Sequence, residues 1–172
     1  MGSNSTSQVY SRRLGALSSE QFQAALARFS LGDFVAAAPI AGGLFGQNVF
    51  VTSSQGEYVL RGSPHYPWQF PKEQFGAALL HAHTQVPVPY PYLFDPTPDI
   101  FGWPYLIMPR LYGTHPLAAH LALPEKLAIA RTLGQNLARL QALTWPYAGG
   151  CDLPSHTIQP FPGGFAQWIA AD

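Results

Sequence analysis

With 172 residues, 47% of them hydrophobic and 13% aromatic, the chain is long enough for a core and too apolar for wholesale disorder. Nine basic and nine acidic residues cancel to a formal net charge of +0, which argues against nucleic acid as a partner, because neutralising phosphates takes a basic excess or patch. No apolar run of about 18 residues could span a membrane, residues 1–13 lack the apolar segment of a secretory signal, and the single Cys151 excludes an internal disulfide and a cysteine-based zinc site. These features point to a cytoplasmic protein. Only 10% of residues are charged, against about 25% in an ordinary soluble domain, so covered faces are expected.

Residues 1–17 read as a flexible lead-in. Over 18–30 the spacing of Phe22, Ala25, Leu26 and Phe29 predicts an amphipathic helix capped by Ser18 or Ser19 and ended by Leu31-Gly32-Asp33. Strands follow at 34–40, 48–53 and 58–61; Ala41-Gly42-Gly43 interrupts the first, and Ser54-Gln55-Gly56 turns the second into the third. Residues 63–71 form a loop, and Pro71 suits the first turn of a helix running to about 84. Val86-Pro87-Val88-Pro89 ends it, since a residue before proline avoids the α region. Two more strands fall at 92–95 and 105–108. Pro124 then opens the clearest helix, to about 143, with the stripe Leu123, Leu127, Ala130, Leu133, Leu137 and Leu140. From Pro146 onward the chain reads as irregular. The order predicts an α+β lobe of five antiparallel strands with a helix inserted after the third, followed by the start of a helical part.

Three places could carry chemistry. Gly42, Gly43, Phe45, Gly46 and Asn48 lie between the first two strands, where glycines let backbone N–H groups approach a bulky anion. Tyr58-Val59-Leu60-Arg61 puts a cation at the end of the third strand, and Glu73 falls in the first turn of the next helix. A helix carboxylate paired with a strand cation can steady that cation against phosphate. Strand 105–108 ends at Met108 and passes into an extended linker, where the Pro109 carbonyl could accept from an adenine amino group and the Leu111 N–H could donate to its ring. Taken singly, each is also an ordinary turn, strand end or strand exit. His81 and His83, two apart in a helix, point to different faces and make a poor metal pair.

In this order the residues resemble the aminoglycoside phosphotransferase and choline kinase-like superfamily, relatives of the protein kinases. The resemblance runs from about 18 to 143. It rests on the glycine loop with Asn48, Tyr58-Val59-Leu60-Arg61, Glu73, Val86-Pro87-Val88-Pro89, the segment 106–113, and the helix Leu133-Gly134-Gln135-Asn136-Leu137-Ala138-Arg139-Leu140. Gln141 stands where that family usually has histidine, and Arg61 where lysine is common. The resemblance implies a bilobal fold with ATP between the lobes and a hydroxyl acceptor for the γ-phosphate. It divides the chain into a lead-in (1–17), a kinase-like nucleotide-binding lobe (18–112) and an incomplete helical substrate lobe (113–172). Arg61 would hold phosphate, Glu73 would orient Arg61, Gly43 to Asn48 would cover the phosphates, and Met108, Pro109 and Leu111 would read the adenine.

The family's His-Gly-Asp-x-x-x-x-Asn loop and later metal-binding Asp do not occur among Asp33, Asp95, Asp99, Asp152 and Asp172. The chain is therefore expected to be a truncated N-terminal portion, inactive alone, with its magnesium ligands elsewhere. A binding or assembly module that kept the lobe and lost the chemistry is the alternative of a different class. An unpartnered leucine stripe over 123–143 further predicts self-association through that helix.

Overall fold

Alternating apolar positions build the structure's main sheet. The computed structural model describes residues 7–40, 45–114 and 120–170. In chain order the elements are β1 (Gln8–Ser11), β2 (Gly15–Leu17), α1 (Ser19–Arg28), β3 (Phe34–Pro39), β4 (Asn48–Ser53), β5 (Gly56–Gly62), α2 (Gln69–His83), β6 (Leu93–Asp95), β7 (Tyr105–Pro109), α3 (Leu123–Gln141), β8 (Gly149–Asp152), β9 (Thr157–Pro160) and α4 (Gly164–Ala170). Strands β3-β4-β5-β7-β6 form one antiparallel sheet in that spatial order. This is the α+β arrangement expected from the sequence, with α2 inserted between the third and fourth strands of the sheet. The chain divides into two compact units, Met1–Gln74 with Pro89–Leu111, and Phe75–Val88 with Tyr112–Asp172.

In the first unit one face of the sheet carries the core. Val49 and Val51 of β4, Leu60 of β5, and Tyr105 and Ile107 of β7 pack with Phe22, Ala25 and Leu26 of α1. α1 begins with a reciprocal cap: Ser18 Oγ accepts the Gln21 N–H, and Gln21 Oε1 accepts the Ser18 N–H at 2.9 Å. Residues 8–17, read from the sequence as part of a flexible lead-in, instead pair as the hairpin β1–β2. Polar composition conceals two anchors there, because Leu14 and Leu17 are buried in the same core as Phe22.

The far end of α1 is tied down by charge. Arg28 Nη1 lies 2.6 Å from Asp95 Oδ2 and Nη2 lies 2.6 Å from Asp99 Oδ2, while Thr97 bridges the two acids. Burial alone would push the Asp95 carboxyl up, but the Thr97 hydroxyl and N–H and the Arg28 guanidinium outweigh it and hold the acid below its usual value. Because the folded pKa is depressed, the stabilisation is present above about pH 4 and is lost as pH falls through the folded value. Asp95→Asn should cost about 1–3 kcal/mol at pH 7 and flatten the acid limb of the stability curve, read by chemical denaturation at a series of pH values.

The second unit holds the long helix α3. Pro124 sits in its first turn and the Glu125 carboxylate accepts the Ala122 N–H at 2.7 Å, so its start is defined locally. Its leucines are exposed: Leu127 is 61%, Leu133 64% and Leu137 55% accessible. A Cβ at Gly134 would meet nothing within 4 Å. Gly134→Ala should therefore stabilise the helix by about 1 kcal/mol, seen as roughly fivefold slower amide exchange in α3. The stretch after Pro146, irregular by sequence, forms the hairpin β8–β9 and the short α4. Alternation in β8 is invisible to hydropathy, because the strand is Gly149-Gly150-Cys151-Asp152.

Candidate functional site

Antiparallel register decides which side chains meet. Arg61 lies opposite Asn48 on β4 and opposite Leu106 on β7, while Val59 lies opposite Phe50 and Met108. Opposed residues share a face and successive residues alternate. Asn48, Phe50, Val59, Arg61, Leu106 and Met108 thus occupy the sheet face opposite the α1 core, so three of the sequence candidates (Asn48, Arg61 and Met108) stand on one surface.

Glu73 joins them. Arg61 Nη1 donates to Glu73 Oε2, with the side chains only 19% and 29% accessible. The guanidinium also lies over the Phe70 ring, 5.6 Å from its centroid. Such shielding makes the pair stronger than an exposed one, which is worth about 0–1 kcal/mol. Among the described residues, Arg61 Nε finds no hydrogen-bond partner although it is buried, and the same holds for Asn48 Oδ1. Nearby, burial pushes the Tyr92 phenol up, the Glu73 charge adds to this, and Arg61 partly offsets it.

Helix α2 starts two residues earlier than expected, at Gln69, so Glu73 sits in the second turn rather than the first. Pro71 is tolerated inside the first turn because its missing N–H would have had no intrahelical acceptor. The earlier start brings in Gln69, one turn before Glu73. Its Nε2 lies 3.2 Å from Glu73 Oε1 and 3.4 Å from Gln47 Oε1. Sequence reading took Gln47 only as part of the run from Gly43 to Asn48 and did not single out Gln69 or Phe70. The four-residue step from Gln69 to Glu73 was the available signal, concealed by the misplaced helix start.

Of the glycine-rich loop, Gly42 and Gly43 lie outside the described residues. Phe45 is 61% exposed and meets His65 edge-on, with centroids 4.9 Å apart. Gly46 has φ +58°, a conformation that favours glycine. At the other end of the sheet, the Arg110 N–H donates to the Glu57 carbonyl at 3.0 Å, and Tyr58 faces Pro109 as a pair without mutual bonds. The Pro109 carbonyl therefore turns away from β5, and β6 begins only at Leu93, opposite Ile107, so its ladder does not extend to Pro109. Leu111 is exposed beyond the ladder. Arg110 stiffens this exit: Nη1 lies 2.8 Å from Glu57 Oε2, and its guanidinium lies 3.8 Å from the Phe50 ring centroid.

The arrangement is a partly buried guanidinium, steadied by a helix carboxylate, on a sheet face that also carries Asn48 and Met108. It can bind an anion through Arg61 and offer main-chain hydrogen bonds at the β7 exit. Among the described residues no group of three or more His, Cys, Asp or Glu could hold a metal ion, and no helix is long and apolar enough to cross a membrane.

Comparison with known proteins bears on the fold and the family. A solved structure of a candidate aminoglycoside phosphotransferase from Ralstonia eutropha JMP134 superposes with a TM-score of 0.56 at 18% identity. The match covers 72% of this chain and 38% of that one, so the likeness is one of fold and spans well under half of that protein's length. No curated protein sequence matches the chain. The sequence pattern of the phosphotransferase enzyme family matches residues 36–169, from the first strand of the main sheet through α3 to the end of α4. That span takes in Asn48, Arg61, Glu73 and Met108 together, and the chain belongs to the phosphotransferase enzyme family.

Proposed function

We propose that this chain is the nucleotide-binding portion of an ATP-dependent small-molecule phosphotransferase that transfers the γ-phosphate to a hydroxyl acceptor. The observation that carries the reading is the Arg61–Glu73 pair, largely covered, on the sheet face shared by Asn48 and Met108. Among the described residues the Arg61 Nε–H finds no acceptor, so protein partners leave the guanidinium's donors unsaturated, and a guanidinium is the group that pairs with phosphate oxygens. Glu73 fixes the guanidinium, and Asn48, where the chain returns from the glycine-rich segment, stands opposite Arg61 on the same face. The outward Pro109 carbonyl and the Leu111 N–H suit the adenine edge, with Met108 beside them.

Magnesium would accompany the ATP, with its protein ligands outside this chain. No step is assigned to that ion within this chain. No His-Gly-Asp sequence occurs within these 172 residues, so the carboxylate that would assist the attacking hydroxyl and the residues selecting the acceptor would be supplied from outside them. The chain alone is accordingly a binder rather than a catalyst. The test is calorimetric titration of the 172-residue chain with ATP, before and after Arg61→Ala; equal binding by the two would remove Arg61 from the site.

The exposed stripe on α3 supports one further element of this reading. Burying a leucine is worth roughly 1.5–3 kcal/mol, and Leu123, Leu127, Leu133 and Leu137 are all more than half accessible. The chain should associate with itself through α3. Sedimentation velocity at rising concentration should show a growing dimer fraction that Leu133→Glu/Leu137→Glu abolishes; a monomer throughout would refute it.

A further inference from the structure

The N-terminal hairpin does more than complete the core. We infer that β1–β2 belongs to the phosphate-binding apparatus, with Ser11 and Arg13 as positioning residues that brace the returning arm of the glycine-rich loop. The inference rests on the nucleotide-binding reading above and deepens it.

The hairpin is itself fixed, because Leu14 and Leu17 are buried at 5% and 3% accessibility. From that base Ser11 Oγ donates to the Gly46 carbonyl at 2.6 Å while accepting the Leu14 N–H at 3.0 Å. The contact is close: a Cβ at Gly46 would stand 3.2 Å from Ser11 Cβ and Oγ and 3.9 Å from Arg13 Cβ. Arg13 Nε donates to the Ser63 carbonyl at 2.6 Å, and Gln47 Nε2 donates to the same oxygen at 2.9 Å. Ser63 has φ +52°, an unfavourable region for serine that these two donors help hold. Gln47 is 2% accessible and reaches Gln69, which reaches Glu73. A continuous polar chain thus joins Arg13, through Ser63, Gln47, Gln69 and Glu73, to Arg61.

The physical reason for a brace is entropic. A glycine such as Gly46 loses much conformational freedom when it is held in a single conformation. Contacts that order the arm beforehand leave more of the phosphate interaction to appear as affinity. Ser11 and Arg13 act through Gly46 and Ser63 rather than by touching the nucleotide.

The experiment is calorimetric titration of the 172-residue chain with ATP and, separately, adenosine, using wild type, Ser11→Ala, Arg13→Ala, Arg13→Lys and Arg61→Ala. Circular dichroism first confirms that each variant is folded at the temperature used. Ser11→Ala and Arg13→Ala should each weaken ATP about fivefold, the factor for one lost hydrogen bond, and leave adenosine unchanged. General destabilisation would not move that ratio. Arg13→Lys keeps the charge but not the Nε–H fork, so it should behave as Arg13→Ala; recovery by lysine would mean direct charge attraction and would overturn the positioning role. Hairpin variants that bind ATP as wild type does, while Arg61→Ala binds it weakly, would overturn the inference and leave the nucleotide site standing. Loss of neither by Arg61→Ala, or no ATP binding by wild type, would overturn both.

Discussion

Arg61→Ala is expected to weaken ATP binding about thirtyfold, and Arg61→Ala/Glu73→Ala is expected to bind ATP better than that single variant. The first figure corresponds to roughly 2 kcal/mol for a charge-assisted hydrogen bond to phosphate. The second follows from what truncation leaves behind. Without Arg61, the Glu73 carboxylate loses its ion-pair partner and faces an incoming polyanion alone. Like charges a few ångströms apart in a water-like medium repel by about 1 kcal/mol. Removing that charge as well should recover about fivefold. Adenosine, which carries no phosphate, should bind all three proteins alike. Additive losses in the double variant would mean that Arg61 and Glu73 do not act as a unit.

Gly62→Ala should destabilise the first unit by about 3 kcal/mol, a large cost for one methyl group. A Cβ there would fall 2.1 Å from Trp103 Cζ3 and 2.4 Å from Cη2. The indole cannot easily withdraw, because it stacks on Phe101 with centroids 4.7 Å apart and Phe101 is part of the core. The backbone is equally held, since the Gly62 N–H donates to the Gln47 carbonyl at 2.8 Å and the residue pairs with Tyr105 on β7. Thermal unfolding reads the loss. Adding Trp103→Leu should restore much of it by vacating the contested space, and failure to do so would place the strain elsewhere. Because Gly62 follows Arg61 directly, the strand shift that accommodates the methyl should also lower ATP affinity.

Much of the sheet was legible in the sequence, because its signals are local. Val49, Val51 and Leu60 alternate with the other face, and Ser54-Gln55-Gly56 supplies its own turn. Ser18 with Gln21 writes the start of α1, and Pro124 with Glu125 that of α3. Elements whose evidence is not local were missed. The β1–β2 hairpin lies in a polar stretch whose two anchoring leucines, Leu14 and Leu17, form no periodic pattern. The β8–β9 hairpin has a glycine-rich strand with almost no side chains to read. The start of α2 was displaced because proline is a strong marker, and it drew the boundary to itself.

For the site, composition and spacing nominated Asn48, Arg61, Glu73 and Met108 as types of residue in an order. Which of them would meet depended on register, since one residue's slip in β5 would have sent Arg61 to the core face. Gln47 and Gln69 are neutral side chains with no motif, and they become members of the site only through partners 22 residues apart in the chain. Sequence alone therefore determined the main sheet's strands, the helices α1 to α3 and the candidate chemistry, because hydrophobic period, caps and turns are written within a few residues. The tertiary structure alone decided that one sheet face gathers Asn48, Arg61 and Met108 and that the N-terminal hairpin reaches Gly46, because cross-strand pairing and close packing join residues that no local pattern connects.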